Sequence, residues 1–442
     1  MKKTLGLLAC VLALATFVPL QAQTPAPNLT GTWQGTLQAG QEPHVAHFRV
    51  VLHLSPDPKS GWKGEMLSID QSPTPSPLTS VTLNGTDFAF ALDAFHVKYH
   101  GTVSEDGNSI KGTFTQGGDL PLTFERATAT TEWKIDSSPH KVQFVNVEKD
   151  VKLEVLDWGG QGRPLVLLAG LGGTAHVFDQ IAPKLATKFH VIGITRRGFG
   201  ASSVPEPTVA NYSAQRLGDD VLAAIHELKL EKPIVGGHSI AGEELSYIGT
   251  AHPDQVAGLI YLDAGYPYAY YDASRGDLSI DTAELQHDLK QLTLFSPASE
   301  QKKIIDQLQN VDLPALQKDL EVTKKRLAVT PEQPALPDSP EMRVAAAVIQ
   351  GETKFSTVHC PALAIFASPH DLGPMAASLK PEQRAAMEAM DADTTGPQVK
   401  AFQLGNPNAK VVVLAHASHA VFASNEADVL REIDSFAATL KQ

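Results

Sequence analysis

The stretch PIVGGHSIAGEEL, Pro233 to Leu245, sets Ser239 between an apolar run and a helix-like run. A serine hydroxyl is a weak nucleophile near neutral pH, so it needs an imidazole base and an acid that orients that base. The chain supplies both types later. VVVLAHASHAVFAS carries His416 and His419, FASPHDLGP carries Asp371, and LIYLDAGYP carries Asp263. Together these residues have the chemistry for nucleophilic acyl transfer. The steric demand is specific as well, because a sharp strand-to-helix turn crowds the positions two before and two after its nucleophile. Gly237 meets that demand, and Ala241 adds one methyl where a second Gly is usual. Gly242 then leaves room for the following helix to approach a sheet. The competing reading is an incidental serine in a Gly-rich loop, which the flanking strand and helix patterns oppose.

The elements that must hold these residues are legible from periodicity. KVQFVNV, VKLEVLDWG and RPLVLLAG read as three successive strands from Lys141 onward. HVIGIT, PIVGG and AGLIYLDAG then alternate with amphipathic helical stretches, which predicts a mostly parallel sheet covered on both faces. Between about 268 and 357 the strand rhythm stops. SIDTAELQHDLKQL, SEQKKIIDQLQNV and LPALQKDLEVTKKRLAV have helical spacing, and TPEQPALPDSP breaks them. PALAIF and KVVVLA resume the sheet, so the helices form a cap. Upstream, residues 28–128 read as short antiparallel strands such as HFRVVLHL and DFAFAL, with Asn84-Gly85 as a hairpin turn. This predicts a small β barrel or sandwich, joined through a polar link at 129–140 to an α/β domain at 141–442. GTWQGTL is echoed by GTFTQGG, which predicts pairing of first and last strands, and its Gly-x-Trp resembles the opening of lipocalin-type modules. Trp33 and Trp62 are expected in the core.

From Lys141 to the C-terminus these pieces resemble the α/β-hydrolase family in order as well as kind. LVLLAGLGG is similar to that family's strand and oxyanion loop, TRRGFGASS to its R-G-x-G-x-S turn, and GGHSIAG to its nucleophile elbow. The resemblance implies a Ser-His-Asp triad of Ser239, His419 and Asp371, with Asp263 as the alternative acid. His419 is chosen over His416 because an aromatic, Phe422, follows it. The resemblance assigns the oxyanion donors to the backbone N–H groups of Leu171 and Ile240. Ala169 replaces the His common in that loop, which leaves the loop's support to be explained. Members that open epoxides or remove halides carry Asp at the elbow, so Ser239 directs the expectation to esters. An amide substrate, as in prolyl aminopeptidase-like relatives, or perhydrolysis uses the same triad. The reading from another class is a binding protein on an inactive hydrolase fold.

Around the site, Glu243 and Glu244 suit a helix N-terminus, and Arg196 and Arg197 suit structural ion pairs. Tyr266, Tyr268, Tyr270 and Tyr271 are expected in the pocket wall or the core. His416 and His419 have the spacing of a metal pair but no further ligand nearby, so neither metal nor cofactor is expected.

Bulk composition sets the outer limits. In a chain of 442 residues, 43% hydrophobic and 19% charged residues suffice for a large core. Acidic residues number 49 against 36 basic, a net charge of -13, which excludes the basic face a nucleic acid requires. A small-molecule ester or amide is the expected partner. MKKTLGLLACVLALATFVPLQAQ has the charged, apolar and small-residue regions of a signal peptide over 1–22, which implies a periplasmic or secreted protein with no integral membrane segment after cleavage. Lipid attachment at Cys10 is the lesser alternative. Cleavage removes Cys10 and leaves Cys360 alone, expected as a small buried filler.

Overall fold

Apolar and polar residues alternate along the N-terminal strands, and in Val97–Val103 the alternation is strict, with Val97, Tyr99, Gly101 and Val103 buried and the residues between them exposed. The computed structural model describes residues 27–41, 44–70, 72–134, 138–292, 295–328, 338–373 and 379–441. The segment 1–22 with Cys10 lies outside the described residues. The N-terminal sheet comprises β1 (Gly31–Gln41), β2 (His44–Asp57), β3 (Gly61–Ser68), β4 (Ser72–Pro77), β5 (Ser80–Asn84), β6 (Asp87–Leu92), β7 (Val97–Val103), β8 (Ser109–Thr115) and β9 (Asp119–Arg126). Their order is β4-β3-β2-β1-β9-β8-β7-β6-β5. First and last strands do pair, with Trp33 opposite Arg126. The curled sheet nevertheless keeps β4 and β5 as its edges, which makes it a half-barrel. Trp33 is fully buried and its indole N–H donates to the Leu29 carbonyl at 2.9 Å. Trp62 packs against the same core from a partly buried position.

The second sheet comprises β10 (Lys141–Glu148), β11 (Val151–Gly159), β12 (Pro164–Leu168), β13 (His190–Ile194), β14 (Ile234–His238), β15 (Gly258–Leu262), β16 (Ala362–Ala367) and β17 (Ala409–Leu414). Their order is β10-β11-β13-β12-β14-β15-β16-β17. The ladders from β13 to β17 are parallel, and β10 and β11 are antiparallel additions at one edge. Every residue of β15 and β16 is buried, as strands covered on both faces must be. Val166 and Leu168 face one core with helices Ala214–Glu227 and Gly242–Ala251. Leu165 and Leu167 face the other with helix Glu426–Ala437.

Between β15 and β16 lie helices Leu278–Gln291, Ala298–Gln307, Leu313–Leu327 and Pro340–Gln350. The last of these was not anticipated from periodicity. Nor was the long helix Pro381–Gly405 between β16 and β17, which contains Gly396 and Pro397 and therefore reads locally as broken. Thr395, Gln398, Val399 and Phe402 bury the face that keeps it helical. Among the described residues no helix is long and apolar enough to cross a membrane.

Where the link from the half-barrel enters the second sheet, a buried polar cluster fastens it. Ser138 Oγ donates to Asp179 and accepts from the Trp158 indole at 2.8 Å, while His140 Nδ1 lies 3.2 Å from Asp179. His176 stands between Asp179 at 3.5 Å and Glu154 at 3.8 Å. Burial opposes its cation, but the two carboxylates outweigh burial and raise its pKa to about 9. A folded-state pKa above the unfolded value means stability that is present below about 6.5 and lost as pH rises through 9. Denaturant unfolding should therefore show a loss on the order of 2–3 kcal/mol between pH 6.5 and 9.5, and His176→Gln should flatten that slope.

Candidate active site

Ser239 begins the turn at the end of β14 with a φ of 54°, the left-handed conformation a tight elbow demands of its nucleophile. A short 3-10 turn, Ser239–Ala241, leads into helix Gly242–Ala251. A side chain at Gly237 would put its Cβ 2.9 Å from that of Ala241. The elbow therefore accepts the Ala241 methyl because Gly237 contributes none. Gly242 is under a harder constraint, since a Cβ there would lie 2.0 Å from the Ala264 carbonyl oxygen.

His419, on the loop after β17, brings Nε2 to 2.8 Å from Ser239 Oγ and Nδ1 to 2.6 Å from Asp263 Oδ2. With Nδ1–H donating to the carboxylate, Nε2 is free to accept the serine proton. The carboxylate that meets His419 is thus that of Asp263 at the end of β15, the alternative to Asp371. Asp371 is tied elsewhere: its amide donates to the Ala417 carbonyl at 2.8 Å, and its Oδ1 accepts from the Gly373 amide at 3.2 Å. No hydrogen bond joins its carboxylate to His419. His416, with a φ of 56°, bends the same loop, and its amide donates to the Pro369 carbonyl.

Asp263 is fully buried, also with positive φ, and both its carboxylate oxygens are occupied. Oδ1 accepts from the Ala367 amide at 2.9 Å and from the Tyr266 hydroxyl at 2.9 Å. Oδ2 accepts from His419 and from His370 Nε2 at 2.8 Å. Burial alone would raise its pKa, but these imidazole partners lower it to about 2. His370 was not singled out in the sequence, although it adjoins Asp371 in SPHDLG. Nor was His238, inside the elbow motif itself. His238 packs against His419 with the rings tilted by 49° and centroids 4.7 Å apart, and its Nε2–H donates to the His419 carbonyl at 3.1 Å. Burial, then the neighbouring imidazole charge, pushes its pKa down to about 3, so it stays neutral.

On the other side of β14, the loop after β12 passes over the elbow. A Cβ on Gly170 would come within 2.9 Å of His238 and 3.1 Å of Ser239. Leu171 follows on that loop, exposed, and Ile240 is buried directly after Ser239. The support that Ala169 cannot supply comes from Arg196. Its guanidinium donates to the Ala169 carbonyl at 3.2 Å and to Gly170 at 3.4 Å, and Glu244 holds it at 2.7 Å. Arg197 grips Asp220 with two bonds of 2.6 Å. Glu243 is fully buried, and burial followed by the Glu244 charge raises its pKa, which favours a neutral carboxylic acid.

Comparison with known proteins bears on the fold. Residues 163–354 match the family model described as alpha/beta hydrolase fold. The second unit of the chain has the α/β-hydrolase fold. A fluoroacetate dehalogenase from Burkholderia sp is 33% identical over 116 residues, 26% of this chain and 38% of that protein. A 2-(acetamidomethylene)succinate hydrolase from Mesorhizobium japonicum is 27% identical over 104 residues, 24% of this chain and 36% of that protein. The matches therefore span well under half of these relatives. An epoxide hydrolase structure from Bacillus megaterium aligns over 67% of this chain and 100% of that one, at 16% identity and a TM-score of 0.42.

In this α/β-hydrolase sheet, Ser239, Asp263, His370 and His419 leave the carboxyl ends of four neighbouring strands, β14 to β17. Of the four tyrosines, Tyr266 bonds Asp263 and Tyr268 packs beside Ile240. Burial and the Asp263 charge hold the Tyr268 phenol un-ionised near Ser239. Tyr270 packs on Phe402 instead, and the Tyr271 hydroxyl donates to Asp281 at 2.7 Å. Two groups have metal-ligand composition among the described residues, His140 with His176 and Asp179, and Asp263 with His370 and His419. In the second, both rings touch one carboxylate oxygen at 2.6 and 2.8 Å, which is hydrogen-bond spacing. Ligand atoms around a tetrahedral zinc stand about 3.3 Å apart at bond lengths of ~2.0 Å. In the first, His176 is a cation held by two carboxylates. Cys360 is partly buried, and burial pushes its thiol up to about 12, which makes it unreactive.

The Gly242 contact yields a direct test. Gly242→Ala should cost about 3 kcal/mol or prevent folding, because backbone must move to admit the methyl. Ala241→Gly should leave stability within about 1 kcal/mol of the parent, as the turn only loses a tolerated methyl. Denaturant titration of both variants checks the pair of outcomes.

Proposed function

We propose that this protein is a serine hydrolase that cleaves carboxylic esters through an acyl-enzyme. The observation that carries the reading is the continuous hydrogen-bonded series from Ser239 Oγ through His419 to Asp263, at 2.8 and 2.6 Å. His419 Nε2 takes the hydroxyl proton as Ser239 Oγ bonds to the ester carbonyl carbon. The tetrahedral oxyanion is held by the N–H groups of Ile240 and Leu171. The same proton passes from His419 to the departing alkoxide, which leaves as alcohol. Water then loses a proton to His419 and attacks the acyl carbon, Ser239 regains that proton, and a carboxylic acid departs. Asp263 remains ionised throughout, consistent with a pKa of about 2.

Serine at the elbow favours acyl transfer over halide removal or epoxide opening. The signal-like N-terminal segment supports a location outside the cytoplasm as part of the same proposal. The matched dehalogenase and succinate-derivative hydrolase are each covered for well under half their length. The acyl group and leaving group are therefore drawn from the site chemistry alone.

A fluorophosphonate probe followed by mass spectrometry should give one adduct on Ser239, absent from Ser239→Ala. With p-nitrophenyl acetate, Asp263→Asn should lower kcat by about 10⁴, the effect of leaving the base in the wrong tautomer. Asp371→Asn should stay within about threefold of the parent, as expected for a carboxylate that does not orient the base. The reverse ranking would return the acid role to Asp371. A folded parent that neither labels nor turns over would favour a binding protein.

A further inference from the structure

The hydrogen-bonded series does not stop at Asp263. His370 Nε2–H donates to Asp263 Oδ2 at 2.8 Å, and its Nδ1–H donates to both carboxylate oxygens of Asp391 at 3.1 Å. The His370 amide donates to Asp391 Oδ2 at 2.6 Å, which fixes the ring's approach. A neutral imidazole carries one N–H, so two carboxylate partners on opposite nitrogens call for the imidazolium form. Among the described residues, four titratable groups face this ring. Asp263 comes from β15, Tyr266 from the following loop with its hydroxyl at 3.2 Å, Asp391 from helix Pro381–Gly405, and His419 from the loop after β17 with its ring 6.0 Å away.

We propose that His370, held as a cation by Asp391, is a positioning residue that shares the Asp263 carboxylate with His419 and keeps the base in its neutral, proton-accepting form. The inference rests on the serine-hydrolase reading of the site. Two consequences follow from the geometry. The donor from His370 turns Asp263 so that Oδ2 meets His419 Nδ1, while the Ala367 amide and Tyr266 hydroxyl hold Oδ1. The positive charge also opposes a second one on the far side of the same carboxylate. Burial disfavours the His370 cation, but hydrogen bonds and charges from Asp263 and Asp391 overcome this and raise its pKa. Geometry and charge thus both favour the cation. His370 acts through Asp263, with its ring centroid 6.0 Å from that of His419.

The test is the pH profile of kcat/KM for p-nitrophenyl acetate in the full chain and in His370→Gln, whose amide keeps a donor but lacks the charge. Asp391→Asn is the second variant, and it weakens the cation without altering the ring. The acid limb should move to higher pH in His370→Gln by about one unit, the effect of removing a unit charge ~6 Å away at a dielectric midway between protein and water. At the high-pH plateau kcat should fall less than about tenfold, since a donor to Asp263 remains. Asp391→Asn should move the same limb in the same direction by a smaller amount. Acid limbs that coincide with the parent in both folded variants, whatever their kcat, would overturn the proposal and leave His370 a packing residue. Failure of the hydrolase reading looks different, because the folded parent would then show no turnover, or Ser239→Ala would retain it, in the same assay.

Discussion

A fully buried carboxylate must have its charge met by hydrogen bonds, because desolvation without partners costs several kcal/mol. Asp263 is that group here, and the architecture around it can be understood as the supply of its four donors. Two come from the loop after β15 and the last residue of β16, the Tyr266 hydroxyl and the Ala367 amide. Two are imidazoles, from the loops after β16 and β17. The requirement explains why β17 must lie beside β16 and why its loop folds back over it. His419 has to cross one strand to reach the carboxylate. The backbone bonds from Ser368 to Leu414, from His416 to Pro369 and from Asp371 to Ala417 extend the β16–β17 pairing beyond the strands and fix that crossing.

The same principle governs the opposite side of Ser239. Arg196 is buried and paired with Glu244, an arrangement that carries a desolvation penalty and stabilises only when its remaining donors are also used. They are used on the carbonyls of Ala169 and Gly170, in the loop that carries Leu171. A helix residue five positions after Ser239 thus fixes, through one guanidinium, the loop on the far side of Ser239. Glycine does the complementary task sterically. Gly170, Gly237 and Gly242 sit where a Cβ would meet His238, Ala241 or the Ala264 carbonyl, so the loop, elbow and helix approach within contact of one another.

Much of this was legible in the sequence because it depends on local patterns. The continuous apolar runs of β12, β14, β15 and β16, the crowding rule around Ser239 and the position of His419 each follow from a few neighbouring residues. The choice between Asp263 and Asp371 does not. Both follow a buried strand, Asp263 directly after β15 and Asp371 in the loop beyond β16, and sequence does not say which way each carboxylate turns in three dimensions. Asp371 turns back onto its own Gly373, whereas Asp263 turns inward because its left-handed backbone aims it there. Asp391 was illegible for another reason. Its helix carries Gly396 and Pro397, which argue locally against a helix, and tertiary burial of Val399 and Phe402 overrides them. The role of Arg196 as support for the loop at Ala169 spans 27 positions of sequence and leaves no motif.

The half-barrel bears on the site through the chain that connects it. Ser138 and His140, at the end of that connection, bind Asp179, and Asp179 closes the turn Ala175–Phe178. That turn begins four residues after Leu171, and its Ala175 amide donates to Thr195 Oγ1 at 3.0 Å, next to Arg196. Thr195 in turn donates to Glu154, the partner of His176. The link is therefore part of the packing behind the loop that carries Leu171 rather than a passive tether. A boundary drawn at Lys141 from composition alone would remove Ser138 and His140, leaving Asp179 buried without two of the groups that meet its charge. Sequence composition changes where the backbone becomes polar, but the physical edge of a unit lies where its buried charges have all found partners.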